Sequence, residues 1–177
     1  MYLKKLIQIE SEMAENKFVL SFDAGTSGVK SILMDFTGKI ITHTTEEYPS
    51  YMPQPGWMEQ EPADYWHAVI RATRKILSIS KLDPGKISGI VFTTQAMGII
   101  PVDKEGNVLR RNITWVDNRA EEEAKWLMNR FLGRRIFKSL VGIELTGKDV
   151  LAKLLWLRKK EPEIYRKTDK IRKITWY

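Results

Sequence analysis

The densest chemistry in this sequence lies in Asp23-Ala24-Gly25-Thr26-Ser27-Gly28-Val29-Lys30. A carboxylate, two glycines, two hydroxyls and a lysine within eight residues suit a phosphate clamp. Thr26 and Ser27 offer hydroxyl and N–H donors to phosphate oxygens, and Lys30 adds positive charge. Gly25 and Gly28 are expected to let the backbone approach a ligand, with freedom to take positive φ. Asp23 is a hard oxygen ligand that can hold Mg²⁺ directly or through water. The bland alternative is a glycine-containing hairpin with a surface aspartate. Two other phosphate devices are excluded. No G-x-x-x-x-G-K-[ST] occurs, and no G-x-G-x-x-G opens a helix after a strand.

The elements around the segment must position it. Phe18–Phe22 is a short apolar run that predicts a buried strand, and Val29–Phe36 predicts a second. Thr37-Gly38-Lys39 is a tight turn, and the alternating, Thr- and Ile-rich Ile40–Tyr48 predicts a third strand. These three form an antiparallel meander. Pro49–Pro62 holds four prolines and reads as an extended loop. A helix opens near Pro62, with Glu61 and Asp64 at its positive end. It runs to about Ser80 with Tyr65, Val69, Ala72, Ile76 and Leu77 along one stripe. Ile87–Thr94, continuously apolar, is expected as a central strand. Ile99–Val102, a turn at Asp103–Asn107 and a return over Val108–Trp115 predict a hairpin. Helices follow over Asn118–Leu132 and Lys148–Lys160, the second with Val150, Leu151, Leu154, Leu155 and Leu157 as its apolar set. Pro162 breaks that pattern, and Ile171–Tyr177 begins another strand. Strands, a helix, more strands and then helices make a mixed α/β domain rather than a dinucleotide-binding unit.

Composition narrows the class. With 177 residues, 43% of them hydrophobic, the chain can build a real core. No apolar run of about 18 residues is present, so no membrane span is expected. Met1–Lys17 lacks the pattern of a secretory signal and reads as an N-terminal extension. Cysteine is absent, and His43 and His67 are not at ligand spacing, which argues against a zinc site. These features fit a cytoplasmic protein. The net charge of +7 is uneven: residues 130–177 carry 14 Lys/Arg against 5 Asp/Glu. Without a nucleic-acid-binding signature, this reads as solvated helix faces or a protein-contacting surface, not a nucleic-acid interface.

Asp-x-Gly-Thr between two strands, followed by Lys30 and by Met34-Asp35-Phe36-Thr37-Gly38-Lys39, resembles the first phosphate motif of the actin–hexokinase–Hsp70 superfamily. Three later stretches are similar to the FGGY carbohydrate kinases. They are Pro55–Trp66; Thr94-Gln95-Ala96-Met97-Gly98 with its Asp103–Asn107 turn; and Ile113-Thr114-Trp115-Val116-Asp117-Asn118-Arg119. The motifs occur in the family's order and cover roughly residues 18–165.

The resemblance implies an RNase-H-like, actin-like ATPase core with a mixed sheet flanked by helices. It makes residues 18–177 part of the N-terminal, substrate-side domain, with the C-terminal ATP domain and the general-base Asp beyond Tyr177. It implies transfer of the ATP γ-phosphoryl to a sugar or polyol hydroxyl, with Mg²⁺. Gly25, Thr26, Ser27 and Lys30 would meet the ATP phosphates and Asp23 the metal. Gln95, Ala96 and Met97 would line the acceptor pocket, Trp115 would pack on the sugar's carbon skeleton, and Asp117, grouped with these substrate-binding residues, would with Arg119 brace that loop as an ion pair. One departure stands out. Family members acting on xylulose show Met-His after the Gln and glycerol kinases show Arg-Glu, whereas Ala96-Met97 here offers no hydroxyl partner. A xylulose-like ketose is the nearest acceptor. The implied partners are the sugar or polyol and either the remaining kinase half or a further copy of the chain. The alternative is a non-catalytic interaction module on a truncated kinase fold. Trp57 and Trp66 are expected to pack rather than stack on ligands, Glu59 to be structural, and Asp35 and Asp103 to be turn residues.

Overall fold

Alternation of side chains builds the first unit. Leu20, Phe22 and Ala24 of β1 (Phe18–Ala24) and Val29, Ser31 and Leu33 of β2 (Gly28–Asp35) are buried, while Asp23 and Lys30 between them are exposed. Both strands pair antiparallel, with Asp23 opposite Lys30, and β3 (Ile40–Glu47) adds antiparallel to β2. The meander read from the sequence is present. The computed structural model describes residues 17–130, 138–139, 142 and 144–172. They fall into two compact units, one taking the chain through Tyr48 and Ala63–Thr94, the other Pro49–Pro62 and the chain from Gln95 on.

In the first unit α1 (Pro62–Ser80) covers the apolar sheet face with Tyr65, Ala68, Val69, Ala72 and Ile76 buried. Four of the five predicted stripe residues are buried; Leu77 is half-buried, and Ala68 joins the face. β5 (Ile87–Thr94) departs from expectation. It pairs parallel with β1, giving the order β3-β2-β1-β5, so it is the edge of the described sheet rather than its centre. Ile90, Val91 and Phe92 are 46–59% exposed. A continuous apolar run signals cover on both faces and both sides, and among the described residues only β1 pairs with this strand. Trp66 likewise stands open, lining an apolar groove with Phe22, Ile70 and Phe92, instead of packing as expected.

The second unit is knit from short pieces. β4 (Glu59–Gln60) pairs with β7 (Asn112–Ile113), and β6 (Ile100–Val102) pairs with β8 (Lys170–Arg172). The Pro-rich loop thus contains a strand, and the predicted return strand shrinks to two residues plus a bridge from Val102 to Val108. Asp103 makes the expected turn: its carboxylate accepts from the Asn107 amide at 2.7 Å. Asp35 does the same job in the first unit, accepting from the Thr37 and Lys39 amides. Hydrogen bonds from Thr37, its hydroxyl foremost, hold the Asp35 carboxyl below its ordinary range.

α2 (Glu121–Arg130) and α3 (Val150–Lys160) start two to three residues later than predicted, and the expected continuation to Leu132 lies outside the described residues. On α3 the buried set is Ala152, Lys153, Trp156 and Leu157, and Leu151 faces out. Of the expected leucines Leu157 is buried, but the inner face spends two other positions on a tryptophan and a lysine. Pro162 opens α4 (Pro162–Lys167) rather than ending order. Ile99, Ile113, Ala120, Ala124, Ala152, Trp156 and Leu157 form this unit's core. The predicted extension at 1–17 and the strand beyond Arg172 fall almost entirely outside the described residues. Among the described residues no helix is long and apolar enough to cross a membrane.

Gly28 is required by contact. A Cβ there would lie 2.5 Å from the Glu46 carbonyl oxygen and 3.0 Å from the Glu47 Cα, both backbone atoms of β3. Gly28→Ala must therefore push β3 away from the start of β2. The expected cost is about 1–3 kcal/mol, read as a lowered urea midpoint with an unchanged slope.

Candidate functional site

In the first unit the sheet face opposite α1 carries Asp23 and Lys30, side by side across the β1–β2 pair. The connection between these strands is a three-residue loop, Gly25-Thr26-Ser27, closed by Gly25 N donating to the Gly28 carbonyl at 3.0 Å. Neither Gly25 nor Gly28 adopts positive φ, which corrects the expectation from sequence. The opening at Gly25 is steric: a Cβ there would touch only the Gly28 carbonyl, at 3.7 Å.

Tyr48, which the sequence reading passed over, sets this loop. Its phenol donates to the Gly25 carbonyl, and its own amide donates to the Ser27 carbonyl at 3.4 Å. Tyr48 is itself buried against Tyr65, ring centroids 5.0 Å apart. Burial, reinforced by the negative charge of Asp23, pushes the phenol's pKa well up, so it stays a donor at any working pH. An aromatic ending a strand just before Pro49 was the available signal. The resulting donor set is a hard carboxylate, two hydroxyls, backbone N–H groups and an ammonium on one open edge. That set fits a magnesium-bound phosphate.

In the second unit Gln95, Ala96, Met97 and Trp115 come to partly or fully exposed positions on connected segments. Gln95 Nε2 donates to Gln60 Oε1 at 2.8 Å, and the buried Gln60 donates in turn to Ser50 Oγ at 2.9 Å. Met97 sits at φ +60, a conformation rare for a side chain of its size. A Cβ on Gly98 would lie 2.7 Å from Asn112 Oδ1, so the turn is pressed onto β7.

Asp117 is placed as the brace expected of it with Arg119, buried rather than on the surface that carries Gln95, Ala96 and Trp115. It is 0% exposed. Its Oδ1 accepts from Arg119 N at 3.0 Å and Nε at 2.9 Å, and its Oδ2 from Arg119 Nη2 at 2.7 Å and Met58 N at 2.6 Å. A carboxylate has about four acceptor sites, and all are used. Asp117 braces the wall rather than facing a substrate, and the anticipated ion pair with Arg119 is present.

Arg119 is the hub. Nη1 reaches Glu59 Oε1 at 2.8 Å, and its guanidinium lies 3.9 Å from the Trp57 ring centre and 4.9 Å from that of Trp156. Arg110 joins by pairing with Glu59 and, at 2.6 Å, with Glu161. Glu59 and Trp57 are structural, as expected. Arg110, Glu161 and Trp156 went unrecognised because nothing local in the sequence ties residues about 50 positions apart.

Residues 18–177 match the family described as the FGGY family of carbohydrate kinases, N-terminal domain. A xylulose kinase of Bacillus subtilis is 34% identical over 152 residues, which are 86% of this chain and 30% of that protein. A glycerol kinase of Thermococcus gammatolerans is 30% identical over 154 residues, 87% of this chain and 31% of that protein. Among solved structures, one described as a xyloylose kinase from Brucella ovis superposes with a TM-score of 0.80 at 30% identity, covering 88% of this chain and 32% of that one. This chain thus spans about a third of the length of the relatives it matches. The RNase-H-like, mixed-sheet fold expected from the sequence is the fold of these relatives.

Removing the hub tests how the wall is held. Arg119→Leu leaves Asp117 and Glu59 without their shared cation, and a broken buried ion pair of this kind costs about 3–5 kcal/mol. Urea unfolding followed by tryptophan fluorescence should register that loss.

Proposed function

The chain belongs to the FGGY family of carbohydrate kinases, and on that premise we propose that it is the N-terminal part of an ATP-dependent kinase for a sugar or polyol hydroxyl. Phosphoryl transfer asks a protein mainly for positioning and charge neutralisation. The observation that carries the reading is the exposed Asp23–Ser27 loop, pinned from beneath by Tyr48 while its hydroxyls and carboxylate stay on an open edge.

In this reading Gly25, Thr26, Ser27 and Lys30 hold the phosphates through backbone, hydroxyl and ammonium groups, and Asp23 holds Mg²⁺. When bound, Mg·ATP supplies the phosphoryl group and neutralises part of its charge. Gln95 offers an amide to an acceptor hydroxyl, oriented by Gln60. Trp115 presents an apolar ring face to the carbon skeleton, a common way for proteins to grip a flat apolar surface that has polar edges. Ala96 and Met97 present carbon where family members acting on xylulose show Met-His and glycerol kinases Arg-Glu. The acceptor is therefore a ketose or polyol close to xylulose, bound with fewer polar contacts at that position. Magnesium, ATP and a cytoplasmic setting belong to the same proposal.

Because the chain spans about a third of its relatives, we expect Mg²⁺-dependent nucleotide binding with little or no turnover when the chain is assayed alone. Calorimetric titration of ADP with and without Mg²⁺, beside a coupled ADP-release assay over a panel including D-xylulose and glycerol, reads both. Asp23→Asn should weaken Mg·ADP binding about tenfold, the effect of losing about 1.4 kcal/mol. Nucleotide binding indifferent to both Mg²⁺ and Asp23→Asn, or absent altogether, would favour an interaction module. Robust turnover would overturn the division of labour proposed here.

A further inference from the structure

Lys153 lies on the inner face of α3 and is 0% exposed, in a position where a lysine is rarely found without a partner. No carboxylate lies within ion-pairing distance of it among the described residues. Its Nζ instead donates to two backbone carbonyls, Thr114 O at 2.7 Å and Met97 O at 3.1 Å. These belong to two segments far apart in sequence: the Gln95–Gly98 turn and the stretch leading to Trp115. Both bonds are charge-assisted and shielded from water, which makes them strong. A hydrophobic residue of similar length would fill the same space without joining the two carbonyls.

Met97 explains why such a clamp is needed. Its φ of +60 is unfavourable for a side chain and persists only where surroundings over-determine it. Both restraints act on its C-terminal side: Gly98 is pressed against Asn112, and the carbonyl of the Met97–Gly98 peptide is held by Lys153. We propose that Lys153 is a positioning residue that ties the Met97 and Thr114 carbonyls together, so that Gln95–Met97 and Trp115 form one preorganised acceptor wall. The assignment of that wall to a sugar rests on the function proposed above; the tie itself does not.

The tie has an electrostatic signature. Burial pushes the Lys153 pKa down to about 8, opposed by the negative charges of Asp117 and Asp149 and assisted by the positive charges of Arg119 and Lys148. These four are the charged groups that face it, from the Thr114–Arg119 segment and from the start of α3. Since the folded value lies below the unfolded one of 10.5, the unfolded chain binds the extra proton between about pH 8 and 10.5. Folding stability attributable to Lys153 therefore rises with pH across that window. The clamp moves the opposite way: above pH 8 its bonds lose their charge and the wall loosens. A lysine that merely filled space would not separate stability from local order in this manner.

The test follows the amides of Gly98 and Trp115, the peptide groups whose carbonyls Lys153 holds, by ¹⁵N-correlated NMR of the full chain from pH 6.5 to 9.5. Both should titrate with one shared midpoint near 8. Lys153→Met should abolish the transition, and Lys153→Arg should keep the ordered state but flatten its pH dependence. D-xylulose affinity, measured calorimetrically, should fall about tenfold over the same pH range in the unsubstituted chain and be uniformly weak in Lys153→Met. Should Lys153→Met fail to fold, the shared midpoint in the unsubstituted chain still decides. Separate midpoints, or no movement, overturn the tie. A shared midpoint in a chain that binds neither D-xylulose nor glycerol upholds the tie and removes the sugar reading.

Discussion

A guanidinium buried among protein atoms is tolerable only when its charge is met by partners, and Arg119 shows what that demand does to a chain. Its plane lies against Trp57 and Trp156, its forks reach Asp117 and Glu59, and Glu59 is shared with Arg110, which also takes Glu161. The participants come from the Pro-rich segment, from the loop after β7 and from the end of α3. Misplacing any one of them strands a charge in a dry interior. The network is thus less a source of net stability than a condition on arrangement. In satisfying that condition, the second unit fixes the backbone on which Trp115 and the Gln95–Gly98 turn are mounted. Lys153 extends the logic from side-chain charges to backbone carbonyls.

The first unit solves a different problem with weaker means. On the proposed reading as a phosphate clamp, the loop at Gly25–Ser27 is best held through groups other than those that would meet the ligand. Tyr48 holds the loop through the Gly25 and Ser27 carbonyls, which point away from that task. The proposed ligand groups, the hydroxyls of Thr26 and Ser27 and the carboxylate of Asp23, are not the groups Tyr48 holds. Burying the phenol keeps it protonated and so keeps the support independent of pH. In each unit, then, the residues proposed to meet ligands are exposed or half-buried, and Tyr48, Asp117, Arg119 and Lys153, which hold the backbone near them, are buried.

The sequence was most legible where periodicity carries the signal. The meander of β1 to β3, the helix α1 and its stripe, and the turns at Asp35 and Asp103 all follow from local pattern and turn chemistry. Reading failed where a residue's role depends on a distant partner. The run at Ile87–Thr94 promised a central strand because hydrophobicity reports how much burial a segment seeks, not what is there to supply it. Leucines on α3 were chosen over Trp156 and Lys153 because a buried lysine defies its usual preference. Spacing was the available corrective, since Lys153 and Trp156 or Leu157 share one helix face. Site motifs stand in order, and the brace expected of Asp117 and Arg119 is present, but grouping Asp117 with the substrate-binding residues does not suit a carboxylate that accepts four hydrogen bonds from the protein. Motif reading identifies which stretches matter; it does not separate the residues that touch a ligand from those that hold them.

The central claim is that two preformed surfaces, the loop at Gly25–Ser27 and the wall at Gln95–Met97 with Trp115, receive nucleotide and acceptor respectively. Backbone amide shifts of the isotopically labelled chain, recorded as Mg·ADP and then D-xylulose are added, map both surfaces in one experiment. The account predicts saturable shifts at Thr26 and Ser27 with the nucleotide and at Met97, Gly98 and Trp115 with the sugar. Shifts confined to the open groove at Trp66 and Phe92, or none at either surface, would contradict it.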